Sequence, residues 1–260
     1  MCVDEKDGAD GFTLASRPMS RSERDPGSRD QAHKIAAMFD KVAPRYDFLN
    51  RVLSARRDVG WRRRAVELAR LGPRESALDV GVGTGDLSFD LLAASDSTSR
   101  VVGVDLSPVM LDLVRKRAAA HPLGGRFEAQ VADAQALPFA DGSFDRVVAG
   151  FAVRNFGDLG AGLREMWRVL RPGGRAVILE LSTPPDPLVR WVFRLYFHEV
   201  APRVAAALGG DAAAYRYLPR SVARFPGAEG VAAALRASGF RDVRFERLSF
   251  GIAAIHVAQR

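Results

Sequence analysis

The sequence predicts an α/β fold, in which helices cover both faces of a mostly parallel sheet of seven strands. Three observations support this prediction. Apolar runs of strand length alternate with segments of helical periodicity. A glycine-rich turn directly follows the first of these runs. The 260 residues, 47% hydrophobic and 27% charged, suit one large domain of this class.

The N-terminal part of the chain is expected to form a tail and a helical cap. Residues 1–30 carry almost nothing apolar to bury, so we expect a disordered tail, with the folded domain at 31–260. Residues 32–71 have a helical pattern, interrupted by Pro44, and form the expected cap. The single cysteine, Cys2, excludes an internal disulfide and fits a reducing cytosol. We find no signal peptide and no apolar run near the roughly 18 residues needed to cross a membrane.

Each element of the first half has its own signal. A short apolar run enters the glycine-rich turn and predicts a strand. Ser107 and Pro108 are typical of a helix N-cap and a first helical residue. The expected elements are strands at 77–82, 100–105 and 127–133, and helices at 86–94 and from 108 onward.

The second half continues the alternation and then departs from it. An aromatic-rich insertion at 184–227 is expected to act as a lid. Gly239 is the expected cap of a helix, and Gly251 the turn between the last two strands. The other expected elements are strands at 144–153 and 175–182, a helix at 159–170 that "RPGG" ends, a helix at 228–239, and two strands within 241–259.

The glycine-rich turn "ALDVGVGTGD" indicates a nucleoside site. It carries Gly81, Gly83 and Gly85 directly after the first strand. Asp105 ends the second strand twenty residues later, where an acid can accept hydrogen bonds from both ribose hydroxyls of an adenine nucleoside. Asp133, followed by Ala134, ends the third strand, where it can meet the adenine edge. Alternatively, Asp133 is simply a turn residue at the end of the strand.

The acids around this turn favour S-adenosylmethionine over a dinucleotide. Only Thr84 separates Gly83 from Gly85, whereas the dinucleotide fingerprint needs two residues there. Asp79 and Asp86 would repel a pyrophosphate. S-adenosylmethionine has no phosphate and carries a sulfonium and an ammonium group, which nearby carboxylates favour. A dinucleotide and a purely structural turn remain the alternatives.

The stretch "GFAVRNFGD" ends the expected fourth strand in Arg154 and Asn155. Charged side chains are rarely buried without a partner. The carboxyl ends of parallel strands line the crevice where ligands bind in this class of fold. We therefore expect both side chains to face a ligand. The alternative is that Arg154 pairs with Asp158, four residues on.

Two longer stretches carry a family resemblance. They are "RYDFLNRVLSARRDVGW" at 45–61 and "RVLRPGGRAVILELS" at 168–182. With "FAVRNF", "FHEVAPRV" and "YRYLPRSVARFP", they resemble the C-methyltransferases of menaquinone and ubiquinone biosynthesis, over about residues 34–258. The resemblance implies the Rossmann-like class I fold of S-adenosylmethionine-dependent methyltransferases. The positions that match the family's cofactor-binding residues are Thr84, Asp105, Asp133 and Ala134.

Two positions depart from the family pattern. Asp58 stands where members often carry a histidine, which puts an acid–base histidine there in doubt. Gly150 stands where members often carry a serine near the cofactor, so no side-chain contact is assigned to it.

The resemblance implies a reduced naphthoquinone with a polyprenyl tail as substrate, and no metal. The ring hydroxyl of this reduced naphthoquinone is similar to a phenol, whose pKa is near 10. Loss of this proton makes the ring carbon nucleophilic. We expect Arg154 to lower that pKa and hold the oxyanion, with an ordered water as proton acceptor, and Asn155 to hydrogen-bond the ring oxygen.

The lid is the second candidate region. Arg190, Arg194 and His198 fall four apart on one helix face, and His198 is a further catalytic candidate. The other face carries Trp191, Val192 and Leu195. Such a helix suits a polyprenyl tail and an anionic membrane surface. The alternative is a packed helix with a solvated basic stripe.

Five more residues are expected to bind substrate or to cover the site. Tyr46, Asp47 and Asn50 are expected to close it from the N-terminal side, with capping and packing as their alternative role. Tyr215 and Tyr217 are expected to line the quinone pocket, although aromatic residues also fill cores.

The net charge of +7 leaves several partner classes open. A membrane surface fits an enzyme in the cytoplasm at the inner face of the cell membrane. An arginine-rich overall composition explains the same charge. Nucleic-acid methylation is disfavoured, because "FAVRNF" stands where amino-group methyltransferases carry an Asn/Asp-Pro-Pro-aromatic motif.

Several functions compete with naphthoquinol methylation. A polyprenyl benzoquinol, another small aromatic or lipid substrate, and a non-catalytic scaffold in a quinone-pathway assembly are the alternatives. A homodimer is one expected assembly state.

Overall fold

A seven-stranded sheet forms the centre of the protein. The computed structural model describes residues 26–42, 51–52, 54–207 and 212–260. The strand order is β3-β2-β1-β4-β5-β7-β6. The strands are β1 Ser76–Val80, β2 Arg100–Asp105, β3 Phe127–Val131, β4 Phe144–Gly150, β5 Leu170–Leu181, β6 Arg241–Leu248 and β7 Ala253–Gln259. The mostly parallel α/β sheet is therefore confirmed.

Strand order places the ligand crevice. Strands β1 to β5 pair in parallel, and β7 runs antiparallel between β5 and β6. The chain moves outward from β1 to β2 and β3, and then returns to place β4 on the other side of β1. At this reversal the crossovers diverge and leave a crevice outside the carboxyl ends of β1 and β4.

Helices cover both faces of the sheet. The described helices are α1 Pro26–Val42, α2 Arg57–Ala69, α3 Asp86–Ala94, α4 Pro108–Ala120, α5 Leu159–Val169, α6 Pro187–Leu195, α7 Ala201–Ala207, α8 Ala212–Arg224 and α9 Ala228–Ala237. One apolar cluster includes Leu163 and Leu235 of α5 and α9, and a second includes Leu91 and Leu111 of α3 and α4. Their burial against the strands fixes the helices on the sheet.

The N-terminal boundary differs from the expectation. Helix α1 begins at Pro26, within the segment assigned to a disordered tail at 1–30. Proline is favoured in a first helical turn because its φ is already helical and it has no amide hydrogen to leave unpaired. Residues 1–25 lie outside the described residues.

The fourth strand ends earlier than its apolar pattern predicts. It stops at Gly150, and Phe151 takes φ +57°. A short 3₁₀ turn, Val153–Asn155, follows. The left-handed residue turns the chain out of the sheet, so the apolar residues beyond Gly150 pack as a turn and not as a strand.

The insertion at 184–227 is helical in its described part. Helix α6 continues through a π-helical turn, Tyr196–Val200, into α7, and α8 leads back to the sheet. In the described part of the chain, no helix has both the length and the apolar character that crossing a bilayer requires.

Candidate active site

One cavity of about 520 Å³ lies at the carboxyl ends of the central strands. That volume is in the range of small-molecule sites. Most of the predicted cofactor and catalytic residues line it together, although they are up to 76 positions apart in sequence. These residues are Asp79, Gly81, Gly83, Thr84, Asp105, Asp133, Ala134, Arg154 and Asn155.

The glycine-rich turn packs tightly against the end of β4. Gly81 has φ +76°, and a Cβ on it would lie 2.4 Å from the Ala152 Cβ. The Gly81 and Val82 amides donate to the Val104 carbonyl, at 2.8 and 2.9 Å. Gly85, also left-handed, is the N-cap of α3 and is not part of the cavity wall. A side chain at Gly81 would therefore separate the glycine turn from the turn that carries Arg154.

Asp105 stands at the end of β2 where the sequence predicts a ribose acceptor. Its two carboxylate oxygens accept from the Gly83 and Ser107 amides, each at 2.9 Å. Burial raises its pKa, against the lowering effect of these amides. Asp133, at the end of β3, accepts from the Gln135 amide at 2.9 Å. Both carboxyl groups are thus held in fixed positions in the cavity wall.

Asp79 is a buried carboxyl group below the turn. It accepts a 2.7 Å hydrogen bond from the Ser88 hydroxyl. Burial raises its pKa to about 7, and the nearby charge of Asp105 adds to the increase. A positively charged ligand group in the cavity would favour its ionised form.

An ion-pair network joins the helical cap to the glycine turn. Arg62 of α2 contacts Asp58 at 2.6 Å and Asp86 at 3.0 Å. Asp86 also pairs with Arg117 at 2.7 Å and with Arg51 at 3.3 Å. Burial alone would raise the pKa of Asp86, but these arginines hold it below its usual range. Asp58, the position of the family histidine, therefore serves in an ion pair here.

Arg154 is paired with a buried acid. Its guanidinium donates to Glu180 Oε1 at 2.7 Å and to the Phe151 carbonyl at 2.6 Å. The two charged side chains are only 4% and 1% exposed. Asp158, the alternative partner for Arg154, instead caps α5 by accepting from the Ala161 amide. Arg154 lies in the cavity wall, and Glu180 compensates its charge.

Asn155 is oriented by the lid. Its Oδ1 accepts a 2.9 Å hydrogen bond from the Tyr217 hydroxyl of α8. Burial raises the pKa of Tyr217, so this hydroxyl keeps its proton and donates. Because the side-chain oxygen of Asn155 already accepts this bond, the side-chain NH₂ group is the part of Asn155 that can donate to a ligand. Tyr217 therefore acts on the cavity through Asn155, whereas the sequence predicts a residue of the pocket lining.

The N-terminal helix covers one side of the cavity. Ala32 and Ile35 of α1 line it, and the Ser107 hydroxyl donates to Asp40 of the same helix. Three residues predicted to close the site from this side lie outside the described residues, namely Tyr46, Asp47 and Asn50.

The lid lines the cavity with a face other than the predicted one. Val189, Val192 and Phe193 of α6 line it, whereas Trp191 and Leu195 are not part of its wall. The prediction that Trp191, Val192 and Leu195 form the groove is therefore right for Val192 only. His198 lies in the π-helical turn, and its side chain, like that of Tyr215, is outside the described part.

Glu180 is the main site residue that sequence reasoning missed. It is an acid within the apolar run "RAVILELS". Like Arg154, it is a charged residue in an apolar stretch, and a buried charge needs a partner. The i,i+4 pair Asp58 and Arg62 carried a similar signal.

The cavity fits S-adenosylmethionine. Carboxylates at Asp79, Asp105 and Asp133 can meet an ammonium or sulfonium group, ribose hydroxyls and an adenine edge. The same carboxylates would repel a pyrophosphate, as the sequence argument predicts. Asp86 occupies the first position of α3, where a phosphate would bind, and is already paired there with Arg62 and Arg117.

Comparisons with known sequences agree with this chemistry. The profile of the ubiE/COQ5 methyltransferase family matches residues 28–260. A Demethylmenaquinone methyltransferase of Deinococcus radiodurans is 47% identical, over 89% of this chain and 95% of its own. One of Thermus thermophilus is 48% identical, over 86% of this chain and 100% of its own. A Ubiquinone/menaquinone biosynthesis C-methyltransferase UbiE of Geotalea daltonii is 42% identical, over 89% and 98%.

Solved structures share the fold. A SAM-dependent methyltransferase of Thermotoga maritima, described as a possible histamine N-methyltransferase, superposes with a TM-score of 0.61 at 18% identity, over 86% of this chain and 98% of its own. The [4+2]-cyclase SpnF gives a TM-score of 0.67 at 19% identity, over 88% and 96%. These structural similarities show a shared fold but not a shared reaction, because one fold can host different reactions.

Proposed function

Because the chain belongs to the ubiE/COQ5 methyltransferase family, we propose that it methylates a ring carbon of demethylmenaquinol to give menaquinol. The enzyme is an S-adenosylmethionine-dependent C-methyltransferase with a class I fold. The proposed substrate is a reduced naphthoquinone with a polyprenyl tail. Its support is the name shared by the two relatives at 47% and 48% identity.

The cofactor residues follow from their places in the cavity. When bound, S-adenosylmethionine supplies a methyl group on a positively charged sulfonium. In this proposal Asp105 accepts from the ribose hydroxyls, Asp133 and Ala134 meet the adenine edge, and Asp79 faces the positive charge. The backbone of the turn at Gly81, Gly83 and Thr84 completes the site, and Gly85 caps the helix behind it.

Asn155 is the proposed direct contact to the reacting ring. Its N–H donors lie in the cavity wall and can bind the substrate oxygen as negative charge develops there. Arg154 directs the positive end of its ion pair with Glu180 at this oxygen, and an ordered water accepts the hydroxyl proton. The pair keeps the guanidinium fixed, which is the arrangement that electrostatic catalysis requires.

Five predicted residues stay candidates beside this core. His198 is kept as a second catalytic candidate on the lid. Tyr46, Asp47, Asn50 and Tyr215 are kept as residues that close the site or bind the substrate.

One observation carries the proposal. Gly81 of the cofactor turn touches Ala152, which directly precedes the Val153–Asn155 turn. In this proposal, the cofactor side and the substrate-activating side of the cavity meet at this contact. A methyl donor and a ring oxygen bound at these two sides would be neighbours.

The test is a methyl-transfer assay with labelled S-adenosylmethionine on reduced demethylmenaquinone and on the corresponding benzoquinol. Turnover of the naphthoquinol supports the proposal. Turnover of the benzoquinol alone would favour the second candidate, which the 42% identical ubiquinone/menaquinone relative supports. Failure on both with cofactor still bound would point to another small substrate, and loss of cofactor binding to a scaffold.

The partners and the location of the enzyme belong to the same proposal. A polyprenyl quinol resides in the membrane, so we place the enzyme in the cytoplasm at the inner membrane face. A homodimer is the proposed assembly. Nucleic acid is not among the proposed partners.

A further inference from the structure

Three large apolar side chains protrude from one corner of the protein. Among the described residues, Phe250, Leu188 and Trp191 are the most exposed of this kind, at 77%, 70% and 62%. Phe250 lies in the turn between β6 and β7, and the other two lie on α6. Single exposed apolar residues are common, but several large ones at one place mark a contact surface.

The β6–β7 turn and the start of α6 are packed together. A Cβ on Gly251 would lie 2.7 Å from Pro185 Cδ, and Pro185 stands two residues before α6. The Ser182 amide donates to the Ile252 carbonyl at 2.8 Å. These contacts make one continuous corner of two elements that are about 60 residues apart in sequence.

The turn holds the Phe250 ring outward at a cost in backbone strain. Ser249, Phe250 and Gly251 have φ values of +47°, +60° and +91°. Three consecutive left-handed residues are uncommon, and a bulky residue such as Phe rarely adopts this conformation. The Ser249 hydroxyl accepts from Trp61 Nε1 at 3.0 Å, which anchors the turn. Burial of the Phe250 ring does not account for this conformation, because the ring is exposed.

The corner flanks the mouth of the active-site cavity. Ala55, Arg57 and Val192 line the cavity and are also exposed, which marks where the cavity opens. Arg57 donates to the Ser249 hydroxyl at 3.4 Å, and Val192 follows Trp191 on α6. A long apolar ligand leaving the cavity would therefore pass beside the protruding side chains.

Positive charge surrounds the corner. Arg56, Arg57 and Arg194 are exposed. The exposed acid at the start of α6, Asp186, accepts hydrogen bonds from the Leu188 and Val189 amides as the helix cap. Arginines beside apolar and aromatic side chains are the pattern of proteins that lie on anionic bilayers.

We propose that this corner, formed by Phe250, Leu188 and Trp191, docks on an anionic lipid bilayer with the cavity mouth facing the lipid. The proposal rests on the proposed function, since a polyprenyl tail exceeds a cavity of about 520 Å³ and must extend out of its mouth. Side chains that protrude from two elements suit insertion into a bilayer. A protein ligand would more commonly occupy a groove.

The test is flotation of the full chain with vesicles of phosphatidylcholine alone or with phosphatidylglycerol, without substrate. We expect tighter binding to the anionic vesicles. Phe250→Ser and Trp191→Ser should each weaken this binding about tenfold. Arg194→Gln should weaken binding to anionic vesicles about fivefold and leave neutral vesicles unaffected. Val131→Ser is the matched control, because Val131 is 53% exposed and ends β3, the opposite edge strand from β6.

Three outcomes would overturn the proposal. They are no vesicle binding by the wild type, equal losses for Val131→Ser, and a dimer that Phe250→Ser and Trp191→Ser turn into monomers while vesicle binding persists. The last outcome would identify the corner as a subunit interface. Methylation of a tail-free, water-soluble naphthoquinol is measured separately. The variants should keep this activity, and its absence in the wild type would count against the proposed function and not against the docking surface.

Discussion

Single buried charges define the site at the residue scale. Arg154 and Glu180 lie almost entirely out of water and compensate each other. A buried pair of this kind adds little net stability, but removing one partner leaves an uncompensated charge. The pair therefore fixes the position of the Arg154 guanidinium. The side-chain amide of the neighbouring Asn155 is oriented by its hydrogen bond from Tyr217.

Glu180→Gln should lower the free energy of unfolding by about 3 kcal/mol, because the buried guanidinium loses its counter-charge. Urea unfolding measures this loss. Glu229→Gln is the control, since Glu229 pairs with Arg247 at the surface and should lose less than about 1 kcal/mol. Equal losses in the two variants would contradict burial as the cause.

Tyr217→Phe should lower kcat about tenfold with little change in KM for the quinol, because the Asn155 amide is no longer held in one orientation. Steady-state kinetics give both values. In Asn155→Ala the same change at Tyr217 should have no further effect, since both act through one group. Additive losses would show that Tyr217 acts by another route.

Cofactor affinity should depend on the protonation of Asp79. Its pKa in the free protein is raised to about 7, so a proton must leave before the ionised form can meet a positive ligand. Affinity should therefore rise with pH, by at most about tenfold per unit, and level off above about pH 7. Calorimetric titration of S-adenosylmethionine between about pH 5.5 and about pH 9 measures this.

Asp79→Asn separates this effect from the titration of the cofactor's own amine, whose pKa is about 8. The variant should lack the rise at low pH and keep only the loss of affinity above about pH 8. An unchanged profile in the variant would exclude Asp79 as the titrating group.

At the element scale, turns set the geometry of the cavity. The glycine turn after β1 and the turn after β4 touch at Gly81 and Ala152. The lid contributes Val189, Val192 and Phe193 to the wall. The two turns bend where a residue takes a left-handed conformation, as Gly81 does at φ +76° and Phe151 at φ +57°.

Gly81→Ala should reduce stability by about 3 kcal/mol and abolish cofactor binding, because its Cβ would overlap the Ala152 Cβ. Gly173→Ala is the matched control. Gly173 has the same φ of +76°, but its Cβ would meet nothing within 4 Å. The control should lose only the free energy needed to hold an alanine in the left-handed conformation, about 1 kcal/mol, and it should still bind cofactor. Unfolding and binding measurements that give equal losses would show that the contact is unimportant.

At the scale of the whole molecule, the cofactor site joins the cap, the sheet and the lid. Arg62 of the cap contacts Asp86 of the turn, and Asp40 of α1 accepts from Ser107, the N-cap of α4. A ligand in the cavity would therefore stabilise the whole fold and not one element.

S-adenosylmethionine at a hundred times its Kd should stabilise the protein by about 2.7 kcal/mol, which corresponds to an increase in Tm of roughly 5–10 °C. NAD⁺ at the same concentration should leave Tm unchanged, because the acids of the turn repel its pyrophosphate. Thermal unfolding measures both. An equal shift with NAD⁺ would contradict the methyl-donor assignment.

Local patterns in the sequence determined the fold and the cofactor. Alternating strands and helices imply a parallel sheet, and the spacing of Gly81, Gly83, Gly85 and Asp105 excludes a dinucleotide fingerprint. These features depend on residues close together in the chain. Nine of the residues singled out in the sequence line one cavity.

Only the tertiary structure decided the partners of the catalytic candidates. Arg154 pairs with Glu180, 26 positions away, and not with the nearby Asp158. Asn155 bonds Tyr217, 62 positions away. The inward face of α6 also differs from the expected one, since Trp191 points outward. The physical reason is that a buried charge or an apolar face specifies what kind of partner it needs, whereas the packing of β4 against β5 and of the lid on the cavity specifies which one.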